Sequence, residues 1–564
     1  MLKETARPKT GGEALLMALK VSGIDYIFAN AGTDFPPIIE GLARLSEGDV
    51  PAPVTVPHET AGVAMAHGYW LVTGCPQAVM VHVNVGLANA VMGVINAASD
   101  NVPVFVLSGR TPLTETGRKG GRMTPIQYGQ EMYDQTSLVR DVVKFDYELR
   151  YPEQADSVTK RAASLMISAP GGPVYMSLPK EPLTEPLPSG FTPAPAPVSA
   201  TPAAPDGIAI ATLAAWIAEA KAPVVLCQRG DPEGQLSALL SRSADAFGLA
   251  VAEPFSIRNV LASDDPAHLG YNPMVATAQA DLVIVLDSGV PWIEAVSAPD
   301  KDTRVVHIGP DPLFRRMPVR GYRTDLAITA DPAMALDALL ALTPDPGASA
   351  RRGAVQARVA ALREAKIAPD AGGDGSMTAE WMSACVSEIM DDNAVAFSEL
   401  GLLLPHMTLK GPNRVFSNVH AGGLGWAMPA ALGAQLADGD RLVIACVGDG
   451  SYMFANPVAC HQIAEALGLP ILTIVKNNAM WNAVRRSVIK GYPDGAAVQQ
   501  NRIPLTSLEP LPDFTQIAKA SRAHAERINH GADLPDALRR AVEVIRTERR
   551  QVLLDLSVAA SDDF

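Results

Sequence analysis

Three consecutive α/β blocks, each built on a doubly wound parallel sheet, are predicted by three observations. Short apolar runs alternate with segments of helical periodicity along most of the chain. Those runs are apolar at nearly every position, as strands buried on both faces are, rather than alternating with polar residues. Two loosened stretches interrupt the pattern, and 564 residues are too many for one hydrophobic core. Within 1–183 the strand-like runs are 26–29, 78–83, 104–107 and 174–178, separated by helical patterns such as 13–20 and 155–167. Residues 184–205 hold mainly Pro and Ala with few bulky side chains and read as an extended linker. The block 206–343 carries runs at 223–227, 282–286 and 305–308 and reads as Rossmann-like; 344–376 reads as a second linker. The last block, 377–564, has runs at 394–397, 442–447, 471–475 and 552–556.

The most specific signal lies in the last block. The run 442–447 ends in Gly448-Asp449-Gly450-Ser451, and the run 471–475 ends in Asn477-Asn478; Ser451 to Lys476 spans 26 residues. That interval fits a βαβ unit, which places both polar clusters at the carboxyl ends of neighbouring parallel strands, where open sheets bind ligands. A carboxylate, amide oxygens, a hydroxyl and glycine backbone are hard oxygen donors suited to Mg²⁺, an ion that keeps phosphate oxygens among its ligands. A metal-bridged diphosphate is the expected guest.

Further segments extend this pattern. His58-Glu59 opens a small-residue helix; Gly422-Gly423-Leu424-Gly425-Trp426-Ala427 precedes the GDGS strand; Asn30-Ala31-Gly32-Thr33 and His82-Val83-Asn84-Val85-Gly86 close two strands of the first block. A zinc-protease reading of His58-Glu59 fails because the residue four after His58 is Gly62. Together these segments resemble the thiamine-diphosphate-dependent enzymes, the family of pyruvate decarboxylase, benzoylformate decarboxylase and acetolactate synthase. The resemblance covers essentially the whole chain. It implies an N-terminal pyrimidine-binding domain (1–183), a central Rossmann-like domain (206–343) and a C-terminal diphosphate-binding domain (377–564).

The same resemblance assigns roles. Glu59 hydrogen-bonds the pyrimidine and sets the tautomer that deprotonates the thiazolium, whose ylid does the carbon chemistry. Leu424 props the cofactor in its bent form, and the Gly422 carbonyl accepts its amine. Asp449, Asn478 and the carbonyl of Met480 ligate Mg²⁺, while Ser451 and the backbone of Gly448 and Gly450 contact the diphosphate. On the substrate side His82 matches the active-site histidine of benzoylformate decarboxylase, and Thr33 falls where that enzyme has a serine. Gln130-Glu131 resembles instead the acetolactate synthase and 2-hydroxyacyl-CoA lyase branch, but Asn84-Val85-Gly86 stands where acetolactate synthases show Gly-Pro-Gly. Non-oxidative decarboxylation of a 2-oxo acid is therefore the first expectation. Acetolactate synthase-like carboligation, and cleavage of a 2-hydroxyacyl-CoA or diketone, are the alternatives.

In this family Glu59 of one subunit faces the metal site of another, which implies a homodimer or homotetramer with sites at the subunit interface. Some relatives hold FAD or a nucleotide in the central domain; Arg229-Gly230 and Gly309-Pro310-Asp311-Pro312 are the residues in question, and structural turns are the favoured reading. A formal charge of −14 without a Lys/Arg block points away from nucleic acid. Five cysteines without metal-like spacing suit a reducing cytoplasm. No stretch approaches 20 uninterrupted apolar residues, so neither signal peptide nor membrane span is expected.

Overall fold

A computed structural model describes residues 7–373 and 376–561. It contains three parallel sheets. The first holds β1 (Tyr26–Ala29), β2 (Ala52–Thr55), β3 (Gln77–Val81), β4 (Val104–Arg110), β5 (Asp146–Glu148) and β6 (Val174–Pro179) in the order β2-β1-β3-β4-β6-β5. The second holds β7 (Pro223–Cys227), β8 (Ala250–Ala252), β9 (Leu282–Leu286), β10 (Arg304–Gly309) and β11 (Leu326–Thr329), ordered β11-β10-β9-β7-β8. The third holds β12 (Val395–Glu399), β13 (Val415–Phe416), β14 (Val443–Gly448), β15 (Leu472–Asn477), β16 (His524–Ile528) and β17 (Val552–Ser557), ordered β13-β12-β14-β15-β17-β16. The first and third sheets thus share one winding. In both, the winding reverses between the first and third strands in sequence, β1/β3 and β12/β14, which opens a crevice at their carboxyl ends.

Local chemistry sets the elements. Val79, Val106, Ile444 and Ile474 are fully buried, because helices cover both faces of each sheet. The helix Glu59–Thr73 starts where the His58 ring accepts the Thr60 N–H at 3.3 Å and stops at Gly74, whose φ of 71° a side chain would resist. The run 78–83, expected as one strand, divides. Gln77–Val81 is strand, His82 is the junction residue, and Val83 opens the helix Val83–Ser99 with φ 34°. A β-branched residue in that conformation is strained, and the strain falls beside His82.

The stretch 344–376, expected as a linker, contains the helix Ala348–Glu364. Arg351 donates to the Phe247 carbonyl at 2.9 Å and to Asp345 at 2.5 Å, and Val359 is buried against the central sheet. This helix carries only a thin apolar stripe, with buried Arg351 supplying hydrogen bonds where a long apolar side chain would otherwise pack, so hydrophobic periodicity does not reveal it. In the central domain, Arg229 donates to the carbonyls of Asp287 (3.2 Å) and Ser99 (3.1 Å) and lies over Phe314. Arg320 covers the same ring and donates to the carbonyls of Ser288 and Gly289. The basic side chains at these strand ends therefore tie strands and domains together, beside a cavity of about 240 Å³ lined in part by Arg316 and Met317.

One core unites the first and third sheets, running from Phe28 and Val79 through Met65 to Trp426, Val447 and Val475. Its centre is the helix 59–73 packed on the helix Ala427–Ala437. A Cβ on Gly68 would stand 2.0 Å from the Ala430 carbonyl oxygen, and one on Gly433 would stand 2.0 Å from that of Met65. Those pairings run in opposite senses, so the helices are antiparallel and touch through backbone. Arg258 of the central domain closes the junction, buried between the rings of Trp70 and Phe416. Among the described residues no helix is long and apolar enough to cross a membrane.

Candidate active site

Two polar clusters occupy the crevices of the first and third sheets. In the first, His82 at the end of β3 meets Asp34 from the turn after β1: Nδ1 lies 2.5 Å from Asp34 Oδ1, and the other carboxylate oxygen accepts the Val83 N–H at 3.2 Å. On its far side His82 Nε2 lies 3.1 Å from the Gln130 amide nitrogen. Two glycines make room. A Cβ on Gly32 would fall 2.1 Å from His82 Nδ1, and one on Gly109 would fall 1.5 Å from Asp34 Oδ2. The hydrogen bond to Asp34 raises the His82 pKa above its ordinary value; burial works the other way, and the charges of Asp34 and Glu59 add to the rise. Thr33 is exposed on the same turn. Glu131, beside Gln130, is turned away into a network with Arg110, Thr111 and Arg122.

Glu59 is buried at the start of its helix, where Asn89 Nδ2 donates to its carboxylate at 3.1 Å and Gly86 leaves space against it. Asn96, two turns beyond Asn89 on the helix 83–99, makes a paired contact with Gly423, donating to its carbonyl at 2.9 Å and accepting its N–H at 3.1 Å. Seven helical residues span about 10 Å, so that distance along the helix separates the two anchoring points. Gly423 lies in the loop that Glu399, at the end of β12, gathers by accepting the N–H groups of Gly425, Trp426 and Ala427 at 2.7, 2.7 and 2.8 Å. Burial raises the Glu399 pKa against the opposing effect of those donors. Gly422 has φ 69° with open space where a Cβ would be, and its carbonyl accepts no hydrogen bond among the described residues. Leu424 is half-buried beside it.

The third-sheet cluster is Asp449, Ser451, Asn478 and Met480. Asp449 is 4 % exposed, yet its carboxylate meets only backbone donors, the N–H groups of Gly450 (2.8 Å) and Asn478 (3.1 Å). Burial raises its pKa. Asn478 Oδ1 accepts the Met480 N–H at 3.2 Å, folding the loop into a ring with Ala479 at φ 57°. The Met480 carbonyl accepts one N–H, from Asn482, and keeps a second lone pair. Segment 506–508 clamps the loop, through Trp481 N–H to the Thr506 carbonyl at 2.7 Å and Leu508 N–H to the Ala479 carbonyl at 2.9 Å. Gly450 is required for space, since a Cβ there would fall 2.1 Å from the Trp481 ring. Ser451 Oγ is buried, and the carboxylate of Glu399 is its neighbour. A buried carboxylate held by backbone N–H groups, a buried hydroxyl and carbonyls with lone pairs to spare fit a hydrated divalent ion and the phosphate oxygens it would carry.

The structure thus brings Asp449, Ser451, Asn478 and Met480 together, and His82 and Gln130 together, with Gly422 and Leu424 on the loop between the domains. It does not bring Glu59 to Asp449 through any hydrogen bond: the partners of Glu59 and His82 belong to the first domain, those of Asp449 and Asn478 to the third. Sequence reasoning missed Asp34, Asn89, Asn96 and Glu399. Asn89 and Asn96 left a usable signal, two amides seven apart on one face of a helix that is apolar or small at every other position between Val85 and Ala98.

With the fold and both crevices described, the comparisons define the class. The N-terminal TPP binding domain of thiamine pyrophosphate enzymes matches residues 9–138, the central domain of these enzymes 210–339, and their C-terminal TPP binding domain 401–556. The chain belongs to the thiamine pyrophosphate enzyme family. Among curated relatives, the acetolactate synthase large subunit of Parasynechococcus marenigrum is 25% identical over 91% of this chain and 82% of its own length. A Pseudomonas aeruginosa protein described as a probable 2-ketoarginine decarboxylase is 25% identical over 91% of this chain and 88% of its own. Among solved structures, benzoylformate decarboxylase from Polynucleobacter necessarius superposes with a TM-score of 0.81 at 18% identity, covering 98% of this chain and 99% of that one. The 4-hydroxybenzoylformate decarboxylase of Rhodococcus jostii gives 0.77 at 21%, with 98% and 100% covered. These likenesses establish the shared three-domain fold.

Proposed function

We propose that the protein is a thiamine-diphosphate- and Mg²⁺-dependent enzyme that decarboxylates a 2-oxo acid without oxidation and releases an aldehyde. The single observation that carries this reading is His82, fixed at the first crevice between Asp34 and Gln130 as a proton-bearing group. Bound thiamine diphosphate supplies the electron sink that lets carbon dioxide leave. Asp449, Asn478 and the Met480 carbonyl would hold Mg²⁺, and Ser451 with the backbone of Gly448 and Gly450 would bind the diphosphate. Gly422 and Leu424 would seat the pyrimidine and thiazolium, with Gly422 offering its unused carbonyl. Glu59, oriented by Asn89, places its carboxylate to exchange a proton with the pyrimidine nitrogen. His82 delivers a proton from Nε2 to the carbon that carbon dioxide has left, and Gln130 fixes the ring's outer edge.

Glu59 and the diphosphate loop belong to different domains, and no hydrogen bond among the described residues joins them. That separation supports a site shared between two copies of the chain, a homodimer or homotetramer. A second reading, carboligation of the acetolactate synthase kind, is favoured by Gln130 facing the site and by the curated relatives. In that case a second carbonyl compound, rather than a proton, meets the same carbon.

Carbon dioxide release from pyruvate, branched 2-oxo acids and benzoylformate, with products identified, is the test. Aldehyde as the main product supports the first reading and acyloin or 2-acetolactate the second. No turnover of any 2-oxo acid would overturn both.

A further inference from the structure

We propose that Asp34 is the positioning residue of this site: its carboxylate fixes His82 as an Nδ1–H donor and leaves Nε2 as the only ring nitrogen able to exchange a proton with a bound molecule. The proposal deepens the functional reading above and rests on it.

Several independent features converge on this pair. Asp34 is 6 % exposed, and both its oxygens are engaged, one by His82 Nδ1 and the other by the Val83 N–H. It consequently grips the ring and the strained residue that follows it in one contact. A carboxylate has no proton to give in its ionised form, so Nδ1 must carry the hydrogen. The two glycines closest to the pair are needed for it to exist, since a side chain at position 32 would strike the imidazole and one at position 109 the carboxylate. Strain at Val83, where φ is 34°, is tolerated at the bend that brings His82 over the end of β3.

The charged groups facing His82 are Asp34, from the turn after β1, and Glu59, from the start of the helix 59–73; both favour the imidazolium. Gln130, from the third side, is neutral and suits either state, since its amide can present nitrogen to a bare Nε2 or oxygen to a protonated one. Proton delivery then balances as follows. The Nε2–H bond breaks, its proton bonds to the carbon left by carbon dioxide, and the ring becomes neutral with Nδ1–H still held by Asp34. Solvent returns the proton to Nε2 before the next turnover. Glu59 is a separate device: Asn89 orients it, and no hydrogen bond links it to Asp34.

The decisive experiment follows the His82 ring by NMR in full-length protein with Mg²⁺ and thiamine diphosphate, using isotope-labelled histidine and assigning the signal by its loss in His82→Ala. Asp34→Asn retains an oxygen for the Val83 N–H but removes the charge. It should lower the His82 titration midpoint by one pH unit or more and mix the two tautomers. The alkaline limb of kcat for aldehyde release should move down by the same amount, while thiazolium C2–H exchange stays within about twofold. Gly32→Ala, which displaces the ring without changing any charge, should also lower the midpoint. An unmoved midpoint and tautomer in Asp34→Asn would overturn the proposal, and so would a midpoint that falls while the pH limb stays in place. If the wild-type protein turns over no 2-oxo acid, the functional reading fails on its own, and the NMR titration still decides whether Asp34 sets the state of His82.

Discussion

The first and third sheets are wound alike, yet their crevices are finished in opposite ways. At β1/β3 polar side chains meet one another: Asp34 meets His82, His82 meets Gln130, and Asn89 meets Glu59. At β12/β14 and the neighbouring β15 backbone takes that part. Asp449 is held by the backbone N–H groups of Gly450 and Asn478. Burying a carboxylate is costly, so the third crevice is built around something that completes it, whereas the first is already assembled before anything binds. One fold thus supplies a receptor for a cofactor and a preformed proton-handling device.

The largest expected effect would break the division of labour between them. Glu59→Gln should slow C2–H exchange and decarboxylation by roughly 100-fold or more, the scale of a lost acid–base group. Diphosphate and Mg²⁺ should still be retained, because Glu59 belongs to the other domain. Hydrogen–deuterium exchange at C2, measured beside equilibrium dialysis of the cofactor, checks both parts. Asp449→Ala should do the reverse and weaken Mg²⁺-dependent retention of thiamine diphosphate by roughly 100-fold, a loss of the size that disabled metal sites show. Unchanged retention would place the metal elsewhere.

Gly433→Val probes the antiparallel helix pair that holds the two sheets at fixed separation. A side chain has no room against the Met65 carbonyl, so a loss of about 3 kcal/mol is expected, read as a lower denaturation midpoint. The conservative Ala434→Gly on the same helix should cost only about 1 kcal/mol.

Acid should draw on the buried histidines. Burial lowers the pKa values of His67 to about 3 and of His268, His307 and His461 to about 4. The unfolded chain takes up these protons near pH 6.5, so below that value it is favoured over a folded chain that refuses them. The expected loss is on the order of 1 kcal/mol per histidine between pH 6.5 and 5. Glu253, pushed up to about 8 by burial, acts in the opposite sense and lowers stability as pH rises from about 4.5 to 8. Asp100, Asp287, Glu399, Asp449 and Asp555, raised by burial, and His82, raised by Asp34, act in the sense of Glu253, so the histidine contribution is read by difference: the urea midpoint of His461→Gln should fall less than that of the wild type between pH 6.5 and pH 5, and equal falls would show that this ring titrates freely. The smallest effect is expected for Asn96→Ala, which removes the paired contact to Gly423 and should cost about 1 kcal/mol and a few-fold in cofactor affinity, readable by calorimetry.

The sequence by itself determined the three α/β blocks, because continuous apolar runs alternating with helical periodicity have few other solutions than covered parallel sheets. It also determined the Gly448–Ser451 and Asn477-Asn478 cluster, since a βαβ unit of that length brings two strand ends together wherever it occurs. The helix 348–364 escaped because its contacts run through Arg351, a residue that hydropathy counts as solvent-facing. Only the tertiary structure decided that Asp34 pairs with His82, 48 residues away, and that Asn96 holds Gly423 across 327. Local pattern records which face of an element is buried, but a polar pair is fixed by where two loops meet, and that depends on strand order and crossover. The same holds for Gly68 and Gly433, which read as ordinary small residues until the helices cross and leave space for nothing larger.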